Sequence, residues 1–204
     1  MKYSVGMVAP HEIWHLAQWI TRQEGGAAQL KWSDGEPFSV ADIMFWYEDI
    51  VLNDEFTPVK PSWLTVADEL VVVSAPDDYT VVFTFAAPYG LFLQYLATPS
   101  GSDLMEFPEH YLKQFHPKYN SDATYEDFEA KAWEYNTERP SMTPWRITEW
   151  ETGADHMLAT RNPYYWKVDV EGNQLPYIDE VYFYLVENNA YGMGTEVDRA
   201  SAVS

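Results

Sequence analysis

Residues 30–42 read LKWSDGEPFSVAD and predict a tight turn that is followed directly by the start of a helix. The Asp-Gly pair at 34–35 favours the turn, because glycine adopts positive φ angles without steric cost. Ser39 and Asp42 form a capping-box-like start, in which the serine hydroxyl accepts a hydrogen bond from a free helix N–H. We therefore expect a helix over about residues 40–53.

The sequence beyond this helix alternates between short predicted strands and short predicted helices. Two runs rich in β-branched residues flank a Pro/Asp turn at 75–78 and predict a β-hairpin. Further helices are expected over residues 11–22, 87–97, 108–115 and 124–135, and further strands over 145–150, 157–161 and 180–186. Because the order lacks steady β-α-β alternation, it predicts an α/β or α+β lobe with a mixed sheet.

Composition and charge exclude several classes of function. The chain has 204 residues, 47% of them hydrophobic and 17% aromatic, which is enough material for a packed core. With 32 acidic and 12 basic residues, its formal charge of -20 repels phosphate backbones, so no nucleic-acid partner is expected. The absence of cysteine removes disulfides, thiolate nucleophiles and Cys-ligated zinc. The most apolar stretch is interrupted by Pro88 and Gly90, so membrane insertion is not expected.

One short motif suggests catalysis. Residues 11–15 read HEIWH and match H-E-x-x-H, in which two histidines one helical turn apart bind zinc beside a glutamate base. In that interpretation His11 and His15 are the ligands and Glu12 is the base of a metallopeptidase. The opposing interpretation is a helix that carries two histidines without a metal, because no strand precedes it to form a substrate cleft. We take the second as the prediction, with no enzyme activity and no cofactor.

The chain resembles a known family through segments that occur in the family's order. The resemblance is to the family 5 extracellular solute-binding proteins, the peptide, nickel and oligosaccharide receptors of ABC importers. The segments are LKWSDGEPFSVAD (30–42), APDDYTVVFTFAAP (75–88), PEHYL (108–112), TPWRITEWETG (143–153) and RNPYYWKVDVEGNQLPYID (161–179). The resemblance implies a class II periplasmic-binding-protein fold, in which two lobes close on a solute and present it to a membrane permease without catalysing a reaction.

Family members are considerably longer than this chain, and the resemblance therefore implies most of one lobe with the second lobe largely missing. We expect an atypical helical segment over residues 1–29, the family lobe over 30–187 and an atypical tail over 188–204. The expected location is extracytoplasmic, either periplasmic or at the cell surface. No signal peptide is recognisable in residues 1–20.

The resemblance implies an oligosaccharide or an oligopeptide as ligand and an ABC permease as partner. Abundant aromatic residues favour a sugar, because aromatic faces suit pyranose rings, and residues 168–175 resemble oligosaccharide-associated members. Trp145 and Trp32 are the predicted ligand-stacking residues, with Tyr89 and Asn136 as further candidates, although each could be structural instead. A carbohydrate-binding domain without a transport role is a further alternative.

Overall fold

The computed structural model describes residues 13–15, 30–77, 80–133, 135–151 and 153–184. Its helices are α1 (Val40–Phe45), α2 (Phe92–Leu96), α3 (Pro99–Ser102), α4 (Glu109–Leu112) and α5 (Tyr125–Ala132). Its strands are β1 (Ile13–His15), β2 (Thr65–Val66), β3 (Glu69–Leu70), β4 (Val72–Asp77), β5 (Thr80–Thr84), β6 (Trp145–Glu149), β7 (His156–Arg161) and β8 (Glu180–Tyr184).

Helix α1 begins where the sequence predicts. The Ser39 hydroxyl accepts a hydrogen bond from the Ala41 N–H at 3.2 Å, and Asp42 Oδ2 accepts one from the Ser39 N–H at 2.8 Å. The two bonds satisfy N–H groups that have no partner inside the helix. Beyond α1, residues Trp46–Val51 continue as a wider π-helical segment, so the expected single helix consists of two helical forms in succession.

The core lies between α1, the β4–β5 hairpin and the helices that follow, and it is built largely from aromatic rings. Trp63 stacks between Trp46 and Phe92, with ring centroids 6.2 and 6.4 Å apart. The fully buried aromatic side chains also include Trp32, Phe38, Phe83 and Phe128. Offset stacking and edge-to-face contacts of this kind add stability beyond the burial of apolar area.

The strands form three small sheets in the described part of the chain, with orders β1-β5-β4, β2-β3 and β6-β7-β8. Every one of these pairs is antiparallel. The predicted lobe of helices and sheets is confirmed, whereas no parallel pair, which a mixed sheet requires, occurs among the described strands. Short connections account for the pairs β2–β3, β4–β5 and β6–β7, because parallel strands need a crossover of a dozen or more residues.

The prediction of a helix over residues 11–22 is wrong for Ile13–His15, which form β1. These residues pair with β5, and Trp14 lies opposite Phe83. A short apolar run fits either a helix or a strand, and here the free edge of β5 supplies the backbone hydrogen bonds that decide the outcome. In the portion that the structure describes, no helix has the length and hydrophobicity required to cross a membrane.

Candidate ligand-binding site

Three segments that are distant in the sequence meet at what we call the loop junction, defined by the turn 31–37, the loop 140–144 and the loop 161–166. The Ser33 N–H donates a hydrogen bond to the Ser141 carbonyl at 3.0 Å. In return, the Ser141 N–H donates to the Ser33 hydroxyl at 3.1 Å. This reciprocal pair fixes the first two segments against each other.

Asn162, from the RNPYYW segment, joins the third part of the junction to the second. Its side chain is fully buried, and its amide Nδ2 donates to the carbonyls of Ser141 at 3.3 Å and Thr143 at 3.0 Å. The Asn162 Oδ1 accepts a hydrogen bond from the Tyr164 N–H at 2.8 Å. Because a buried amide is costly unless its polar atoms are paired, we assign Asn162 a structural role.

Gly35 allows the Tyr164 ring to lie directly against the turn. Its φ angle is 95°, and a Cβ atom at this position would lie 3.0 Å from Tyr164 Cζ. The Lys31 Nζ lies 5.3 Å from the centroid of the same ring, within the range of a cation–π contact. Tyr164 remains 42% exposed, so part of its ring is available to a ligand.

Asp34, which precedes Gly35 in the turn, and His110, in α4, form an exposed polar pair at the edge of the junction. The His110 Nε2 lies 2.8 Å from Asp34 Oδ2, and about a third of each side chain is accessible to solvent. Together the two groups offer a solute both hydrogen-bond acceptors and a donor. Among the described residues, no hydroxyl is hydrogen-bonded to His110, so this pair lacks the nucleophile that a hydrolytic triad requires.

A buried carboxylate holds the helices behind the junction. Asp42 Oδ1 accepts a hydrogen bond from the Glu109 N–H at 3.0 Å and so ties the start of α4 to the start of α1. Burial raises the pKa of Asp42, while the hydrogen bonds from the Ser39 and Glu109 N–H groups, and smaller effects of Trp32 and His110, act in the opposite direction. The position of His110 is therefore fixed by a buried, hydrogen-bonded carboxylate.

The two tryptophans predicted to stack on a ligand are both close to the junction but differ in exposure. Trp32 is fully buried, with its ring 5.6 Å from that of Phe38 and 6.2 Å from that of His110. A ring without exposed surface cannot stack on a solute, so this structure assigns Trp32 to packing and corrects that prediction. Trp145 is partly exposed, begins β6, and donates from Nε1 to the Ile178 carbonyl at 2.9 Å. Its stacking role stays a prediction.

Tyr89 and Asn136 lie in other parts of the lobe. The partly exposed Tyr89 packs its ring 5.0 Å from Phe85, and burial raises its pKa. The Asn136 amide donates to the Tyr111 hydroxyl at 3.1 Å and to the Lys131 carbonyl at 2.8 Å. These bonds hold the chain after α5. The four predicted residues thus lie in separate elements, and a shared binding role for Tyr89 and Asn136 also stays a prediction.

The structure lacks the helical His15 that the zinc-binding interpretation requires. His15 belongs to β1 and lies opposite Val82, so it is not in the helix that H-E-x-x-H requires. His11 and Glu12 lie outside the described residues. Within the described ranges, no group of three or more His, Asp or Glu side chains is arranged to hold a metal ion.

Sequence reasoning missed the exposed groups of the junction. The turn by itself accounts for Asp34 in the sequence, and no local pattern connects it with His110, which is 76 positions away. Tyr164 lies within the quoted RNPYYW segment, and its position before Tyr165 and Trp166 was the only available signal. The hydrogen bond between Asp34 and His110 and the contact of Gly35 with Tyr164, rather than spacing, bring these three residues to one turn as a candidate site.

Comparisons with known proteins agree with this architecture. The family model "Bacterial extracellular solute-binding proteins, family 5 Middle" matches residues 28–193. A periplasmic alpha-galactoside-binding protein of Rhizobium meliloti (strain 1021) is 36% identical over 155 residues, which are 76% of this chain and 22% of that protein.

Two solved structures are similar over most of this chain. The oligopeptide-binding protein OppA is 42% identical, with a TM-score of 0.70, over 91% of this chain and 28% of that one. The periplasmic binding protein MelB from Agrobacterium fabrum C58, in complex with stachyose, is 35% identical, with a TM-score of 0.66, over 86% of this chain and 24% of that one. The chain thus spans about a quarter of the length of these relatives.

Proposed function

Because the chain belongs to the family 5 bacterial extracellular solute-binding proteins, we propose that it forms part of the substrate-binding component of an ABC importer. In this role it captures an oligosaccharide outside the cytoplasm and contributes to its delivery to a membrane permease. The observation that carries the proposal is the family match over residues 28–193, together with relatives of 35% and 36% identity that are described as stachyose-bound and alpha-galactoside-binding.

The loop junction suits reversible binding rather than catalysis. Tyr164 offers an aromatic face, on which the C–H face of a sugar ring can stack. Asp34 can accept hydrogen bonds from sugar hydroxyls, and His110 can donate to or accept from them. A few polar groups placed beside an aromatic surface are typical of small-solute sites. The proposal is therefore a non-catalytic role, in which solute binding shifts an open and closed equilibrium of the receptor.

An oligopeptide is the second candidate solute. It is supported by the 42% identity to a protein described as oligopeptide-binding. The same junction offers a carboxylate to a peptide amine and an imidazole to a peptide carbonyl. Two observations favour the sugar: the exposed Tyr164 ring, and the sugar ligands of the two other relatives.

A competition between the two solute classes tests the proposal. We expect stachyose to perturb the NMR signals of the junction at lower concentration than tetra-alanine does. Replacement of Tyr164 by Ala should weaken stachyose binding about fivefold or more, since an aromatic contact contributes about 1 kcal/mol. Phe183→Ala, on the exposed part of β8, is the matched control and should leave the affinity unchanged. A stronger response to tetra-alanine would replace the sugar by the peptide as proposed solute.

A further inference from the structure

A second exposed face with ligand-binding chemistry lies on α5, away from the loop junction. Glu126, Glu129, Ala130 and Trp133 line a shallow concavity. Their spacing of i, i+3, i+4 and i+7 places them in one stripe along the helix and its C-terminal end. The opposite side of α5 carries the buried Phe128, so the stripe faces solvent.

The two carboxylates of this stripe make no described side-chain contact that stabilises the fold. Within the described residues, the side-chain carboxylates of Glu126 and Glu129 take part in no hydrogen bond or ion pair, and Glu129 contributes its backbone carbonyl, which accepts from the Trp133 N–H at 3.0 Å. Other charged side chains of α5 are engaged: Asp127 accepts from Thr124 in a capping box, and Lys131 pairs with Glu138 at 2.7 Å. Glu126 and Glu129 therefore retain free acceptor oxygens beside Trp133.

Trp133 is exposed, and its ring packs against a neighbouring aromatic ring. It is 49% accessible, although indole rings are usually largely buried. Its ring centroid lies 4.9 Å from that of Tyr135, and the Tyr135 ring lies 5.5 Å from that of Trp150. A ring fixed by such a row of aromatic contacts loses little conformational freedom when a ligand stacks on it.

We propose that Trp133, Glu126 and Glu129 form a saccharide-binding subsite, in which a pyranose ring stacks on the indole and its hydroxyls donate hydrogen bonds to the two carboxylates. This inference rests on the proposed oligosaccharide specificity and adds a contact surface outside the loop junction. An organic cation is the other ligand that an indole and two carboxylates attract. The proposed oligosaccharide specificity decides for the sugar, and a cation is one of the outcomes that the test distinguishes.

Titration of the wild-type chain with stachyose, monitored by the ¹H–¹⁵N signals of the nine indole N–H groups, tests the subsite. The Trp133 signal is identified by its loss in Trp133→Phe. We expect this signal to shift with stachyose, and Trp133→Ala to weaken binding about fivefold or more. Tyr182→Ala removes an equally exposed aromatic ring, 50% accessible, from β8 and should leave binding unchanged. Trp133→Phe should retain part of the affinity, which separates loss of a stacking face from misfolding.

Replacement of both carboxylates, by Glu126→Gln and Glu129→Gln, should weaken stachyose binding by a smaller factor, because an amide still accepts hydrogen bonds. Stachyose binding that is unchanged in Trp133→Ala overturns the subsite and leaves the proposed function intact. A wild-type chain in which neither the indole signals nor the backbone signals of the loop junction respond to stachyose overturns the proposed sugar specificity and the subsite together. A Trp133 signal that responds to methylammonium but not to stachyose also overturns the subsite, since it identifies a cation site.

Discussion

The aromatic core around α1 and the sheet β6–β8 contain the same kinds of side chain in different surroundings. In the core, Phe83 and Phe128 have no exposed surface. On β8, Tyr182 and Phe183 are each 50% exposed, although they lie on opposite faces of the strand. Aromatic residues in a strand therefore do not by themselves predict burial, because burial requires another element that covers the same face.

Polar contacts also differ between the two regions in their exposure to solvent. Asp49, in the helical segment after α1, is 3% exposed and accepts hydrogen bonds from Lys118 Nζ at 2.6 Å and the Tyr119 hydroxyl at 2.7 Å. At the end of β7, Arg161 pairs with Asp179 at 2.9 Å while both side chains remain well exposed. The first arrangement replaces water around a buried charge, whereas the second remains hydrated and contributes little.

The largest expected difference concerns the aromatic rings. Phe128→Ala should lower the free energy of unfolding by about 3–5 kcal/mol, because it removes a ring that contacts Phe45, Phe56 and His116 and leaves a cavity. Phe183→Ala should cost less than about 1 kcal/mol, since the ring is already half in water. Urea unfolding followed by circular dichroism measures both. Equal losses of unfolding free energy would mean that another element covers β8 in solution. The two regions would then not differ in the burial of their aromatic rings.

The next effect concerns the buried carboxylate. Asp49→Ala should cost about 2–3 kcal/mol, because it leaves the Lys118 ammonium and the Tyr119 hydroxyl without their acceptor. The hydrogen bond from Lys118 to Asp49 raises the pKa of that ammonium, which agrees with a strong pair. Asp179→Ala should change stability by no more than about 0.5 kcal/mol. The same unfolding experiment compares them, and a costly Asp179→Ala would show that the exposed pair is more than a surface contact.

The smallest expected effect is a pH dependence that originates in the core. Burial lowers the pKa of His116, whose neighbouring charges are Asp49 and Lys118. Its Nδ1 accepts a hydrogen bond from the Lys118 N–H at 3.1 Å, which requires an unprotonated nitrogen. Below about pH 6.5 this histidine becomes protonated in the unfolded chain but stays neutral in the folded chain. Its contribution to the free energy of unfolding is therefore complete above that pH and is lost as pH falls.

The free energy of unfolding should fall by at most about 1.4 kcal/mol per pH unit because of His116. Unfolding at pH 7.5, 6.5 and 5.5 should show a smaller slope for His116→Gln than for the wild-type chain. His156→Gln, which alters an exposed histidine on β7 that is paired with Asp155, is the control and should preserve the wild-type slope. An unchanged slope in His116→Gln would place the acid sensitivity in another group.

Local chemistry was predictable where neighbouring residues decide the structure. The capping box at Ser39 and the turn at Gly35 are present as expected, and the helix expected from residue 124 begins at Tyr125, after a Thr124 cap. The β4–β5 hairpin and the strands β6, β7 and β8 also lie within or close to the predicted ranges. In each case the deciding hydrogen bond or φ angle involves residues within a few positions of one another, so short patterns are sufficient.

Predictions failed where a distant partner decides. His15 lies in a strand because β5 offers a free edge. The alternation of Tyr182 and Tyr184 along β8 is typical of a strand with one buried face, yet both side chains are half or more exposed because no described element covers them. Trp32 sits in a turn rich in polar residues and is fully buried. The pairing of Asp34 with His110 could not be inferred from their spacing, and the same is true of the contact between Tyr135 and Trp150.

The sequence by itself determined the helix caps, the turns and the family, because these depend on residue types at fixed local spacing. Only the tertiary structure decided which aromatic rings are core and which are surface. The physical reason is that a ring or a polar group can bind a solute only where part of it is exposed. Exposure depends on which elements pack over a residue, and those elements come from segments up to about a hundred positions apart, such as those joined by Ser33 and Ser141.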